Sequence, residues 1–285
     1  MRQNDMKYTR FSQEDIRSLE PAMKIGILGT VNADGLPHLT LISTLKASSE
    51  GQLVFGQFME GQSKAHLHQN PKAGWLVMTL DRQLWRGKAT FTHTAKSGRD
   101  FDFFNNTPLF RYNAYFGIHT VYYLDLVENS GKSALPMNGV VFAAIQTLLR
   151  RSLSRRHGAQ TVLNPWTIGF LNKLENLKFI AYLTSDGYPA VIPAIQAQAA
   201  GADRVMFATS VYTAELEQIP AGAPLAVFAM SLNMEAVLLR GSYFPPGSRP
   251  GIRCGTVKVD WVYNSMPPVP GQIYPPLPIQ AVRTF

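Results

Sequence analysis

The sequence predicts a mainly β protein with a few helices (β+α), built from two tandem copies of one six-stranded antiparallel barrel. A chain of 285 residues is long enough for two domains. It also repeats itself: residues 32–37 (NADGLP) are echoed 152 positions later by residues 184–189 (TSDGYP). Short apolar runs alternate with turn signals, and no long helix separates them within a copy. This pattern favours a closed antiparallel sheet over a doubly wound parallel sheet.

Each copy is expected to open with a short helix. Ser12 is a candidate N-cap in copy 1, and Asn164 followed by proline marks the corresponding start in copy 2. A second helix of copy 1 is predicted at about 63–69 and should end before Pro71, because proline cannot continue a helix.

The strands are predicted from apolar runs and alternating segments on either side of Asp-Gly turns. In copy 1 they fall at about 25–31, 37–46, 52–58, 74–80, 84–94 and 119–127. In copy 2 they fall at about 178–184, 189–199, 204–209, 224–230, 236–244 and 255–263.

These elements predict four regions of the chain. Residues 1–129 form the first barrel domain, 130–172 a largely helical connector, 173–265 the second barrel domain, and 266–285 a proline-rich extended tail. The connector carries a basic run at 149–157, which we interpret as the solvated face of a linker helix.

Composition limits the function classes. The chain is 46% hydrophobic and 16% charged, and no apolar run is long enough to span a bilayer, so no membrane partner is expected. The polar, acidic start favours a cytoplasmic location. The single cysteine, Cys254, has no intrachain disulfide partner, and no metal-ligand spacing surrounds it. A net charge of +8 leaves a nucleic-acid adaptor as a weak alternative, opposed by the lack of a basic strand face interleaved with aromatic residues.

Five segments of copy 1 keep a recognisable order and spacing over residues 20–128: 34–38, 53–55, 61–66, 70–71 and 81–89. Together they resemble the pyridoxamine 5'-phosphate oxidase-like FMN-binding split-barrel family. The resemblance implies two tandem split β-barrels of Greek-key type, FMN as cofactor, and an oxidoreductase. In that family the flavin lies between the two barrels of a dimer, so a tandem chain is expected to form an intrachain pseudo-dimer, with a further homodimer left open.

The same resemblance implies which residues hold the cofactor. The flavin phosphate would be held by Ser63 and Lys64 at the start of the second helix, where backbone N–H groups and an ammonium favour an anion. Thr40 stands where the family often has an arginine. The full implied set is Thr40, Leu41, Ile42, Ser43, Gln57, Phe58, Gln62, Ser63, Lys64 and Gln83.

No catalytic residue and no metal site are assigned. His38, His66 and His68 are interpreted as surface or hydrogen-bonded histidines, because spacing places no acidic partner beside them. Trp85 is interpreted as a packing residue.

Copy 2 is expected not to bind the flavin phosphate. At the displacement of 152, Glu215 and Leu216 replace Ser63 and Lys64, and a carboxylate repels a phosphate. One flavin per chain is therefore predicted, with copy 2 forming a wall of the site.

Several alternatives stay open at this stage. An aromatic insertion at 98–116 could pack on a barrel, or it could cover the flavin and present Arg99 or Arg111 to an anionic substrate. The chain could be an oxidoreductase using a small-molecule substrate or electron donor. It could instead bind or store a flavin, haem or a deazaflavin without turnover. Pyridoxamine phosphate oxidation itself is not expected, since the arginine-rich segments for that substrate are not matched.

Overall fold

The structure, a computed structural model, describes residues 7–59, 61–108, 110–111, 117–153, 161–247, 251–264 and 270–278. The chain forms two compact units. Unit 1 comprises Met1–Gly35, Thr40–Leu135 and Thr184–Val191, and unit 2 comprises Leu36–Leu39, Pro136–Leu183 and Ile192–Phe285. Unit 1 thus includes the Asp-Gly turn of copy 2.

The elements of copy 1 form one antiparallel sheet with three helices. They are α1 (Gln13–Leu19), β1 (Lys24–Val31), β2 (Pro37–Leu41), β3 (Lys46–Ser49), β4 (Gln52–Gln57), α2 (Gln62–Gln69), β5 (Lys72–Thr79), β6 (Gln83–Ala95), α3 (Arg99–Asn105), β7 (Thr120–Asn129) and β8 (Ser133–Ala134). The strand order is β2-β1-β5-β6-β7-β4-β3, and β8 pairs with β6.

Copy 2 repeats this order after two connector helices. Its elements are α4 (Met137–Leu153), α5 (Pro165–Asn172), β9 (Leu177–Leu183), β10 (Pro189–Pro193), β11 (Gln198–Ala199), β12 (Arg204–Ala208), α6 (Thr213–Leu216), β13 (Pro224–Met230), β14 (Ala236–Phe244), β15 (Cys254–Asn264) and β16 (Gly271–Tyr274). The strand order is β10-β9-β13-β14-β15-β12-β11, with β16 paired to β15.

The two edge strands of the first sheet, β2 and β3, are consecutive in the chain, and the link between them closes the barrel. The Ile42 N–H donates to Gly26 O on β1 (2.7 Å), and the Thr44 hydroxyl donates to Gly56 O on β4 (3.0 Å). The link therefore satisfies a backbone carbonyl on each side of the gap between the two ends of the sheet.

Copy 2 closes in the same way at the same displacement. The Ala194 N–H donates to Lys178 O (2.8 Å), and the Gln196 side-chain amide donates to Ala208 O (3.0 Å). Each of these residues lies 152 positions after its counterpart in copy 1. The duplication therefore extends to the hydrogen bonds that shape the barrel.

The predicted fold class is confirmed, with one difference in strand count. Each sheet has eight strands instead of six, because the predicted strands 37–46 and 189–199 each break where the link crosses the gap, and because β8 and β16 were not anticipated. Strand β16 lies in the segment that we expected to be an extended tail.

The helix predictions are confirmed by their caps. Ser12 and Asp15 form a capping box at α1, and the Asn164 side chain accepts from the Thr167 N–H at the start of α5. The basic run 149–157 begins on α4, and its residues 154–157 lie outside the described residues. In the part of the chain that the structure describes, no helix is both long and apolar enough to cross a bilayer.

The described part of the aromatic insertion packs on its own barrel. Phe104 and Phe110 are buried with Val54, Ile118 and Val121 on the face of β4 and β7. Residues 109 and 112–116 of the insertion lie outside the described residues.

On the other side of the sheet, Trp85 is 1% exposed and its indole N–H donates to Asp15 (2.7 Å), which confirms its packing role.

Candidate functional site

The start of α2 presents backbone donors that its N-cap residue does not cap with a side chain. Gly61 is the N-cap residue in extended conformation and makes no side-chain capping hydrogen bond. The first N–H groups of an α-helix have no partner within the helix, and they carry the positive end of its dipole. The end of α2 that begins at Gln62 is therefore suited to an anion.

Ser63 places a hydroxyl in this helix start. Its side chain is only 2% exposed, and its Oγ has no hydrogen-bond partner among the described residues. A buried hydroxyl without a partner is uncommon, since removing it from water costs free energy that a hydrogen bond normally offsets. A ligand oxygen at the helix start would satisfy it.

Lys64 brings a positive charge to the same place. It is half-buried, and its Nζ donates to Met59 O (2.9 Å) in the loop before the helix. A Cβ built on Gly61 would lie 3.7 Å from this Nζ. The ammonium therefore folds back over the N-cap of α2 and does not extend away from it.

Helix α2 is held in position by its other face. Leu67 is 1% exposed in the barrel core, and the His66 Nδ1 lies 3.1 Å from the Thr30 Oγ1 on β1. His68 makes an edge-to-face contact with Phe91 at a ring distance of 5.1 Å. His66 thus has the hydrogen-bonding role predicted for it and His68 is exposed, as predicted, whereas His38 is buried in unit 2, 6.0 Å from the Tyr263 ring.

The end of β4 leads directly into this helix start. Gln57 is half-buried and its carbonyl accepts from the His119 N–H (3.1 Å). Phe58 is 41% exposed, with its ring 5.7 Å from the Phe110 ring. The contact with Phe110 was not predicted, because the insertion that supplies Phe110 has no counterpart in copy 2.

The segment after β2 contributes one accessible hydroxyl. Ile42 is buried in the core, so only its backbone faces outward, and Thr40 and Leu41 are half-buried at the end of β2. The Thr44 hydroxyl is engaged with Gly56, whereas Ser43 is exposed. Ser43 is therefore the residue of this turn that could offer a hydroxyl to a ligand.

Gln83 lies at the other end of β1 from α2. Its N–H donates to the Thr79 Oγ1 (3.1 Å), and Thr79 pairs with Lys24 at the start of β1. Thr30, which contacts α2, is six residues further along this strand, or about 20 Å. Within unit 1 the structure therefore does not bring Gln83 close to Ser63 and Lys64.

Copy 2 lacks this arrangement. Its counterpart of α2 is the single turn α6, which has Glu215 in the first turn and buries Leu216 to 2% exposure. Copy 2 has a carboxylate where copy 1 has the Ser63 hydroxyl, and an apolar side chain where copy 1 has the Lys64 ammonium. These replacements remove the features that favour an anion.

Unit 1 also contains a cleft of about 230 Å³ that none of the predicted cofactor-binding residues lines, although Arg99, a candidate substrate contact of the aromatic insertion, does line it. Within it Lys46 Nζ lies 3.6 Å from an Asp100 carboxylate oxygen and 3.5 Å from the centre of the Phe103 ring. Burial lowers the pKa of Lys46, although Asp100 opposes that shift. We interpret this as an internal ion pair that anchors α3 to β3.

No group of three metal-ligating side chains is present among the described residues.

The fold has solved relatives, although no protein-family model and no curated protein matches the chain. An FMN-binding protein from Syntrophomonas wolfei subsp. wolfei matches with a TM-score of 0.35 and 18% identity over 43% of this chain and 86% of its own. A putative pyridoxamine 5'-phosphate oxidase from Lactobacillus delbrueckii matches with a TM-score of 0.34 and 15% identity over 43% and 94%. An F420 reductase matches with a TM-score of 0.33 and 16% identity over 42% and 98%.

The chain resembles split-barrel proteins. Each of these matches spans less than half of it.

Proposed function

We propose that the chain binds FMN, with the phosphate at the start of α2 in the first split barrel. The observation that carries this proposal is the buried Ser63 hydroxyl without a hydrogen-bond partner among the described residues, next to the Lys64 ammonium at an uncapped helix start. A phosphate dianion accepts from backbone N–H groups, a hydroxyl and an ammonium at once. The residues present therefore fit the group.

The remaining contacts are proposed for the rest of the flavin. Ser43 and Gln57 offer polar groups for the ribityl chain, and the exposed Phe58 ring offers a flat apolar surface for the isoalloxazine. Phe110 supports Phe58 from behind, which limits the orientations of its ring. The backbone of 41–43 adds carbonyl acceptors.

We further propose that the protein is an oxidoreductase. FMN, when bound, supplies hydride or single-electron transfer, and the protein binds it, orients it and limits the access of water. This step rests on the cofactor and on no catalytic side chain. A binding or storage protein would use the same residues to hold FMN and would not pass electrons on.

One experiment separates these functions. The purified chain is titrated with FMN, then a nicotinamide donor is added without oxygen and the flavin absorption bands are followed. Bleaching that exceeds the rate for free FMN supports an oxidoreductase. Binding without faster bleaching supports a storage role. Failure to bind FMN, with the protein shown to be folded by circular dichroism, contradicts both.

A further inference from the structure

Helix α4 in unit 2 has two apolar faces, and only one of them is covered by residues that the structure describes. Val140, Ala143, Ala144 and Thr147 are buried against the barrel, where the Thr147 hydroxyl accepts from the Ala208 N–H. The opposite face carries an exposed stripe of five large apolar side chains, each between 47% and 58% exposed: Val141, Phe142, Ile145, Leu148 and Leu149.

The spacing of these residues makes the stripe continuous. Positions i, i+1, i+4, i+7 and i+8 lie on one side of an α-helix. Single exposed apolar residues are ordinary, but a contiguous apolar patch of roughly 300–600 Å² on a folded protein is often functional. We call residues 141, 142, 145, 148 and 149 the α4 stripe.

The α4 stripe is symmetric about Ile145. Val141 and Leu149 are four residues to either side of it, and Phe142 and Leu148 are three residues to either side. If a second copy of the helix is placed antiparallel with the two-fold axis at Ile145, each stripe residue meets a stripe residue of the other copy. A two-fold interface needs such a self-complementary surface.

The charges on α4 favour the antiparallel arrangement. The helix has no acidic residue, and its basic residues, Arg150 and Arg151, lie in its last turn. A parallel pair would bring the basic last turns of the two helices together, which is unfavourable. An antiparallel pair places the last turn of each helix beside the uncharged first turn of the other copy.

We propose that two copies of this chain associate through the α4 stripe, with α4 packed antiparallel across a two-fold axis at Ile145. Two stripes and their polar rims together cover about 1,000 Å², which is at the low end for specific complexes. The dimer is therefore expected to be reversible and to dissociate on dilution in the micromolar range. This proposal does not depend on flavin binding.

Sedimentation velocity tests the association. The wild-type chain should shift from dimer to monomer on dilution, and the Phe142→Asp/Ile145→Asp variant should remain monomeric. The control Leu232→Asp adds a carboxylate at a 77% exposed leucine elsewhere in unit 2 and should still dimerise. Unchanged circular dichroism and Tm in the variant would show that the loss of association does not come from unfolding.

Disulfide cross-linking tests the geometry, and Cys254 is too buried to contribute a background. Ile145→Cys should cross-link to itself. Neither Val141→Cys nor Leu149→Cys should cross-link to itself, because in the antiparallel pair each residue lies about 12 Å along the helix axis from the same residue of the other copy. A mixture of the two variants should cross-link, because residue 141 of one copy faces residue 149 of the other. A monomer at every concentration, cross-linking of each single variant alone, or binding of the monomer to phosphatidylglycerol vesicles through the stripe would overturn the proposal.

Discussion

Gly26 and Lys178 occupy the same position in the two barrels, where the closing link crosses the sheet. A Cβ on Gly26 would lie 2.2 Å from Ile42 O, so unit 1 has room only for glycine. Unit 2 accommodates Lys178, which is fully buried and donates through Nζ to Lys173 O (2.6 Å) and Ile195 O (3.3 Å). Burial lowers the pKa of this lysine to about 8.

The lowered pKa predicts how stability changes with pH. Between about pH 8 and the ordinary lysine pKa of 10.5, the unfolded chain holds a proton on Lys178 that the folded chain has released. The ionisation of Lys178 therefore makes the free energy of unfolding increase as the pH rises through this window. Chemical denaturation of wild type and Lys178→Met at pH 7.5, 9 and 10 measures this increase. Wild type should gain stability relative to the variant with pH, and a constant difference would contradict the assignment.

The proposed phosphate contact is tested at Lys64. Lys64→Met should weaken FMN binding by about 10- to 100-fold, because a charge-assisted hydrogen bond contributes about 1.5–3 kcal/mol. Riboflavin, which lacks the phosphate, should bind wild type and Lys64→Met equally. Lys96→Met, which removes an exposed lysine elsewhere in unit 1, serves as the control. Fluorescence quenching of the flavin measures the affinities of all three proteins for both flavins, and equal losses for FMN and riboflavin in Lys64→Met would place the ammonium away from the phosphate.

The Asp-Gly turn of copy 2 acts as an element of unit 1. Lys88 Nζ contacts the Asp186 carboxylate at 2.7 Å, and Lys72 Nζ donates to the Asp186 carbonyl at 2.5 Å. The Tyr188 hydroxyl lies 2.8 Å from the Thr90 Oγ1. Burial would raise the pKa of Asp186, but hydrogen bonds from Lys88, Thr184 and the Tyr188 N–H outweigh it and lower the pKa to about 2.

Removing this charge should loosen the turn. Asp186→Asn should increase amide exchange over 184–190, and the Asp34→Asn control should not do so there, since the described contacts of Asp34 are confined to its own turn. The contribution of the Asp186 carboxylate to the free energy of unfolding should be present above about pH 4. It should be lost as the pH falls through the folded pKa of about 2. Equal exchange in wild type and Asp186→Asn would contradict this role.

The bulge of the sheet requires glycine in both copies. A Cβ on Gly87 would lie 1.9 Å from Glu128 O, and one on Gly241 would lie 2.0 Å from Lys258 O. The ladder of β6 with β7 and that of β14 with β15 both shift register beside these residues. The atoms that a Cβ would meet belong to the backbone, which cannot move aside as the end of a flexible side chain can. Gly87 and Gly241 therefore have no room for an added Cβ.

Gly87→Ala should therefore be strongly destabilising. We expect a loss of about 2–3 kcal/mol in the free energy of unfolding from overpacking against backbone. Gly51→Ala is the matched control in unit 1, because a Cβ there meets nothing within 4 Å. Urea denaturation compares the two variants, and a similar effect of both would show that the close approach to Glu128 carries no cost.

The duplication of the chain was predictable because similar turn and strand patterns recur in the sequence, most of them at a displacement of 152 residues. Residues such as Ser12 and Asn164 predict helix starts locally, through the side chains that cap them. The proposed phosphate-binding role of Ser63 and Lys64 came only from the order and spacing of the five segments that resemble the split-barrel family, because Lys64 alone gives no local signal. The break at 42–45 depends on contacts with Gly26 and Gly56, and no local pattern predicts those. The same holds for Phe110 and for Tyr188, which meet partners far along the sequence.

The two copies differ at the helix start where the flavin phosphate is proposed to bind. Copy 1 has the Ser63 hydroxyl and the Lys64 ammonium at the start of an eight-residue helix, whereas copy 2 has Glu215 and the buried Leu216 in a single turn. The measurement that tests this difference most directly is the flavin-to-chain ratio after saturation with FMN and removal of the excess. We expect a ratio near one that falls in Lys64→Met and is unchanged in Glu215→Gln. A ratio near two, or near zero with folded protein, would contradict it.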